Sequence, residues 1–168
     1  LKSIKSFKYE EALNYGKLIE APILFYYGDL SKQEAITKML VASVYDKQKK
    51  YDYSDSLYLE SLGLYESYFG TRNMFYSGTL QLIANSLRDR GAYEDASYIY
   101  NQVIKTLEKD STTYTSKANP ESTQFILDNA FASAYSQLAY NYSLKKAFDS
   151  ADFYFDKAFN TVSFVNHE

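Results

Sequence analysis

The chain contains no cysteine, no tryptophan, one histidine and two prolines among 168 residues. Without cysteine there is no disulfide, no thiolate nucleophile and no zinc–thiolate site. The single histidine, His167, stands next to the last residue, so neither a Ser-His-Asp triad nor a two-histidine metal site is available. The six glycines are scattered singly, which excludes a Gly-rich phosphate loop. No apolar run approaches the roughly 18–20 residues that cross a bilayer; the longest, Ala21 to Tyr27, is far shorter. A net charge of -3 leaves no basic stripe for nucleic acid. The first residue is Leu1 and no signal-peptide pattern follows it. The expectation is an excised piece of a longer protein; the absence of cysteine leaves its compartment open, with the cytoplasm ranked above the periplasm or the extracellular space.

What the chain has in quantity is tyrosine and phenylalanine, 19 and 11 residues, within a composition that is 46% hydrophobic and 23% charged. Tyrosine combines an apolar body with a polar tip, which suits it to filling gaps between helices while its hydroxyl finds a partner. The candidate acid pairs, Glu10-Glu11 and Glu94-Asp95, stand at expected helix starts. There they complement the helix dipole, so no catalytic constellation is left. Asn141-Tyr142-Ser143 matches the glycan-acceptor pattern. It lies inside an expected helix with Tyr142 in the packing register, which argues for a structural role. Lys47-Gln48-Lys49-Lys50 reads as a solvated, dipole-favoured helix end.

Internal self-similarity organises the rest. Lys8-Tyr9-Glu10-Glu11-Ala12, Lys50-Tyr51-Asp52-Tyr53-Ser54, Ala92-Tyr93-Glu94-Asp95-Ala96 and Ala147-Phe148-Asp149-Ser150-Ala151 share an aromatic, an acid and a small residue three after the aromatic. The aromatics are spaced by 42, 42 and 55 residues. Tyr27-Gly28 matches Phe69-Gly70; Val41-Ala42 matches Ile83-Ala84 and Leu138-Ala139; Tyr45 matches Leu87 and Tyr142; Tyr58 matches Tyr100 and Phe155. Between these marks Leu80, Ile83, Ala84 and Leu87 follow i, i+3, i+4, i+7, one face of a helix.

The helix punctuation agrees. Gly91 after Arg88 and Arg90 is a C-terminal signal, Ser31-Lys32-Gln33-Glu34 is a capping box, and Asn119-Pro120-Glu121 is an N-terminus with proline at its first position. The pattern predicts seven helices, near 7–20, 31–48, 51–69, 73–90, 92–109, 121–145 and 148–163, paired as antiparallel hairpins. Ala42, Ala84 and Ala139 should face Ser54, Ala96 and Ala151, where small side chains let helices approach. Pro22 should end or kink the first helix. The extra length of the last interval lies in Asp110 to Asn119 and in an extended helix after Pro120; within this insertion over 110–120, Ser111 to Ser116 reads as a surface loop.

Ala84, Leu87, Gly91, Tyr93, Ala96 and Tyr100, repeated as Ala139, Tyr142, Phe148, Ala151 and Phe155, resemble a tetratricopeptide repeat (TPR) array. The 42-residue period is similar to that of the long variant in kinesin light chain and in bacterial arrays. The usual Trp and closing Pro are absent. The resemblance implies an all-α, right-handed superhelical array of hairpins forming a single domain over 1–168, with a partial repeat at 7–27 and repeats near 31–70, 73–110 and 121–163. It implies a non-enzymatic module that binds a protein or peptide on its concave face, without cofactor, metal, nucleic acid or membrane insertion, as a segment of a larger scaffold or regulatory protein. A regulatory domain attached to a sensor kinase or caspase-like peptidase outside the chain, and a purely structural oligomerisation piece, are the alternatives.

In such an array the first helix of each hairpin lines the concave face. One, four and five residues after the motif alanine lie Ser43, Asp46 and Lys47, then Asn85, Arg88 and Asp89, then Tyr140, Ser143 and Leu144; Met39 and Gln81 precede it on the same side. Asn85 with Arg88 is the strongest pair, since an amide can hold a peptide backbone and a guanidinium a carboxylate. Family members that capture a peptide C-terminus carry more Lys, Asn and Arg here than the Lys47, Asn85 and Arg88 of this chain. The first repeated motif belongs to a second helix whose first-helix partner would lie upstream of Leu1. Phe7, Leu13 and Leu18 are therefore expected to form a face that another repeat or a second molecule covers, as in a monomer with a further repeat or a weak homodimer through terminal helices.

Overall fold

The computed structural model describes residues 2–27, 32–71, 74–110 and 120–163. Their regular structure is entirely α-helical: α1 (Lys2–Tyr27), α2 (Lys32–Lys47), α3 (Tyr51–Phe69), α4 (Met74–Asp89), α5 (Tyr93–Asp110), α6 (Pro120–Leu144) and α7 (Phe148–Ser163). The ends of α2 to α7 fall within one residue of those the apolar spacing predicts. The expected capping residues Ser31 and Asn119 and the loop Ser111 to Ser116 lie outside the described residues.

The first helix differs from expectation. It neither ends at residue 20 nor stops at Pro22, but runs through the proline to Tyr27. A proline inside a helix removes one amide donor and strands the carbonyl four residues earlier, here that of Leu18. Pro22 and Leu18 are both exposed, so that carbonyl is open to solvent and the helix can tolerate the loss.

Three tight turns close the hairpins, and they are built alike. Gly91 adopts φ 85°, its N–H donates to the Arg88 carbonyl at 2.9 Å, and the Ala92 N–H donates to the Leu87 carbonyl at 2.9 Å. This is the Schellman arrangement, which satisfies the last carbonyls of a helix by passing one residue through the left-handed region. Lys49 (φ 62°) and Lys146 (φ 61°) occupy the same place, with the Lys50 and Ala147 amides reaching back to Tyr45 and Tyr142. Only one of the three left-handed positions is glycine, so sequence signals marked only one of the turns.

The helices divide into two compact units, Leu1–Thr71 and Arg72–Glu168. In the first, α2 and α3 form an antiparallel hairpin. Tyr45 stacks on Tyr53 near the turn with ring centroids 5.4 Å apart, and further from it the Ser61 hydroxyl donates to the Ala35 carbonyl at 2.8 Å. Lys38 bridges Glu60 at 2.8 Å across the same pair. α1 packs on α2. Gly16 meets Val41 so closely that a β-carbon there would lie 2.6 Å from Cγ2. Leu13 is buried, contrary to its expected place on an uncovered face; it stands one turn before Gly16, which meets Val41 of α2. Leu18 is exposed as expected, and the Phe7 side chain lies outside the described residues.

In the second unit α4 pairs with α5 and α6 with α7, and α6 packs in addition on α5. The motif positions are the centre of both units. Ala42, Ser54, Ala84, Ala96 and Ala139 are completely buried and Ala151 nearly so. Around them Tyr58, Tyr65, Tyr100, Val103, Leu107 and Leu138 fill the interhelical space. Each large apolar side chain so buried contributes roughly 1.5–3 kcal/mol. Between α6 and α7 the rings of Phe131, Tyr135, Tyr154 and Tyr142 stack in series, with centroid separations of 6.0, 6.2 and 5.6 Å. The aromatic surplus is thus partly core and partly an interhelical ladder. Tyr15, Tyr53, Tyr98 and several phenylalanines remain exposed.

A side chain in the left-handed region costs roughly 1–2 kcal/mol relative to glycine. Lys146 is exposed and its role in the turn is carried by its backbone. Lys146→Gly should therefore raise unfolding stability by about 1 kcal/mol, measurable as a shifted urea midpoint at constant slope. An unchanged or lowered midpoint would contradict the turn geometry.

Candidate partner-binding surface

Of the residues singled out on the first helices, Met39, Ser43 and Lys47 stand on α2 in the first unit. Lys47 is exposed; Met39 and Ser43 are half-buried, and the Ser43 hydroxyl donates to the Leu40 carbonyl one turn back at 2.7 Å. Ser43 borders an apolar groove between α1 and α2 that Tyr15, Leu40 and Val41 also line.

In the second unit the structure draws four of the candidates together, Asn85, Arg88, Asp89 and Tyr140, with Gln81 two turns away on α4. α4 and α6 approach each other at a few positions, where side-chain hydrogen bonds join them. Near one end the Gln81 amide donates to the Ser133 hydroxyl at 2.8 Å. Two turns further on, the Arg88 guanidinium donates to Gln137 Oε1 and to the Tyr100 hydroxyl, the latter at 3.0 Å. It bridges Asp89 at 3.3 Å and lies over the Tyr140 ring, 4.9 Å from its centroid. Asn85 joins the same cluster, because its Oδ1 accepts the Tyr100 hydroxyl at 2.6 Å.

Arg88 is consequently a cross-brace. Its side chain is only 10% exposed and its donors are turned to α4, α5 and α6. Asp89 and Tyr140, at the rim of the cluster, are exposed. Tyr100 is completely buried, and burial pushes its hydroxyl up to about 12; Arg88 pulls the other way, and Asp89 adds to the rise. The hydroxyl is therefore a neutral donor to Asn85 through the whole physiological range. Tyr100, Gln137 and Ser133 were not visible as members of this cluster from the sequence. The one signal was a tyrosine at a core position, since a buried hydroxyl needs a partner.

Asn141, the residue of the glycan-acceptor pattern, is fully buried. Its amide donates to the Tyr93 carbonyl at 2.9 Å and to the Ser97 hydroxyl at 2.7 Å, tying α6 to α5. The folded protein does not present it for modification. Among the described residues no group of three or more acidic or histidine side chains could hold a metal ion, and no helix is long and apolar enough to cross a membrane.

No protein-family model matches the chain, and no curated protein matches it either. Among solved structures the chain is similar to BtubC (BKLC) from P. vanneervenii, with a TM-score of 0.78 at 12% sequence identity. The similarity covers 96% of this chain and 59% of that one, so the chain spans about three fifths of its neighbour's length. At that identity the likeness shows the fold: an α-solenoid of TPR-like helical hairpins.

The Tyr100 cluster makes stability depend on pH in a defined window. A group whose folded pKa lies above its unfolded value stabilises fully below the unfolded value, and that stability is lost as pH rises toward the folded one. Unfolding free energy should therefore fall between about pH 10 and pH 12. Tyr100→Phe should flatten part of that fall, and should cost roughly 1–2 kcal/mol at neutral pH by orphaning Asn85 and Arg88. Identical pH profiles for the two proteins would contradict the assignment.

Proposed function

We propose that the chain is a non-enzymatic protein-interaction module that binds an extended peptide segment along the first helices of its hairpins. The TPR-like fold supports a repeat built for protein recognition in general terms. The observation that carries the more specific reading is the braced α4–α6 surface. Arg88, Gln137 and Tyr100 fix two first helices together, and Asn85, Asp89 and Tyr140 border the brace.

A prepaid, rigid surface binds at lower entropic cost than one that must be ordered on contact. Asn85 uses its carbonyl oxygen internally, which leaves its amide donors for a backbone carbonyl of the partner. Tyr140 offers a ring and Asp89 a carboxylate. Because the Arg88 guanidinium is already satisfied, the partner on this reading is a neutral or basic extended segment rather than an acidic chain terminus. Gln81 is a further proposed contact on α4, and Met39, Ser43 and Lys47 are proposed contacts on α2 of the first unit.

Selection of random peptides displayed on phage, followed by calorimetric titration of the enriched sequences, tests this. Micromolar peptides free of a C-terminal carboxylate requirement are expected, weakened at least tenfold by Tyr140→Ala or Asn85→Ala while the melting curve of Tyr140→Ala stays within about a degree. Affinity that survives both substitutions would remove the site from this surface. A stable dimer at low micromolar concentration with no peptide selected would favour an oligomerisation role instead.

A further inference from the structure

The repeat register makes a second surface interpretable, on the outer face of α7. Within the second unit, α6 lies on α5, and the contacts are explicit. The Asn141 amide donates to the Tyr93 carbonyl and the Ser97 hydroxyl, Lys145 bridges Glu94 at 2.7 Å, and Gln81 of α4 reaches Ser133. α6 thus sits in the trough of the α4/α5 hairpin, where Tyr100 is completely buried and Ile104 nearly so.

The α6/α7 hairpin repeats that trough one register on. Phe148 stands for Tyr93, Asp149 for Glu94, Asp152 for Ser97, Phe155 for Tyr100 and Phe159 for Ile104. Here the same positions are open. Phe155 is 45% exposed and Phe159 73%. With Ala132 and Ser136 of α6 they line an open trough of about 560 Å³. Phe148, also exposed, continues the stripe toward the start of the helix. Exposed phenylalanines recurring at matched repeat positions of one helix are more than scattered surface apolarity.

The charge pattern differs from the covered trough in an informative way. Ser97, which accepts from a neutral amide, is replaced by the carboxylate of Asp152, and Asp149 and Asp156 flank it. The cation of this helix, Lys157, is turned onto the rings of Phe153, Tyr135 and Tyr154, at 4.8, 5.5 and 5.8 Å. Among the described residues no ion pair reaches Asp149, Asp152 or Asp156.

We propose that this trough is a docking surface for an amphipathic partner helix, lying on α7 as α6 lies on α5. Its apolar face covers Phe155 and Phe159, and it carries two basic side chains four residues apart, at the positions of Asn141 and Lys145, against Asp152 and Asp149. The covered α5 trough supplies the geometry of the occupant, and the acidic pair supplies its charge. This surface is separate from the peptide surface on α4 and α6, and either assignment can fail without the other.

The probe is a helix-stapled synthetic peptide of residues 129–147 bearing Asn141→Lys, titrated against the protein and followed by NMR shifts of α7 amides. Saturable binding centred on residues 148–159 is expected. Phe159→Asp should weaken it at least tenfold without altering the melting curve, because that side chain is largely in solvent. Asp152→Lys should weaken it about fivefold, and the peptide carrying Asn141→Glu should recover the loss. No saturable shift, or binding indifferent to both substitutions, would overturn the proposal. So would light scattering that shows a dimer dispersed by Phe159→Asp, since the occupant would then be a second copy.

Discussion

Everything in this fold depends on how closely two helices of a hairpin can approach. Small residues at matched repeat positions of the two helices allow that approach: Ala42 and Ser54, Ala84 and Ala96, Ala139 and Ala151 are all buried. Where neither helix carries a side chain beyond Cβ or Oγ, the backbones come together and larger residues are forced to either side. The tyrosines and leucines then find fixed volumes, and Tyr58, Tyr65, Tyr100, Leu107 and Leu138 fill them completely. Gly16 applies the same rule to α1 on α2, with no room for even one carbon against Val41.

Close packing of apolar faces alone would leave one hairpin free to slide on the next. In the second unit polar contacts remove that freedom. Asn141, completely buried, reads one carbonyl and one hydroxyl on α5, and Arg88 ties Tyr100 to Gln137. Such buried polar groups cost more when unpartnered than they return when paired, so they fix one alignment and penalise others. The result ties α4, α5 and α6 into one alignment.

The fold was legible in the sequence because its cause is periodic. A small residue and an aromatic recurring at fixed spacing record the crossing itself, and the helix ends follow from them. What the sequence hid was local or relational. Pro22 suggested a break, yet an exposed proline costs one amide bond and the helix absorbs it. Lys49 and Lys146 gave no sign of the left-handed turns they occupy, since turn closure came from the backbone bonds and not from the residue type. Asn85 and Arg88 were identifiable as neighbours on one helix face. Their engagement with Tyr100 and Gln137 was not, because the insertion before α6 breaks the counting that would place Gln137 opposite Arg88. Sequence alone therefore suggested a free guanidinium where the structure has a brace.

The most direct test of the account is the crossing distance itself. Ala96 of α5 is completely buried. Ala96→Leu should overfill it and lower unfolding stability by roughly 1–3 kcal/mol, read as a shifted urea midpoint with an unchanged slope. A midpoint equal to that of the parent protein would mean that the small-residue crossing does not set the register of the hairpins.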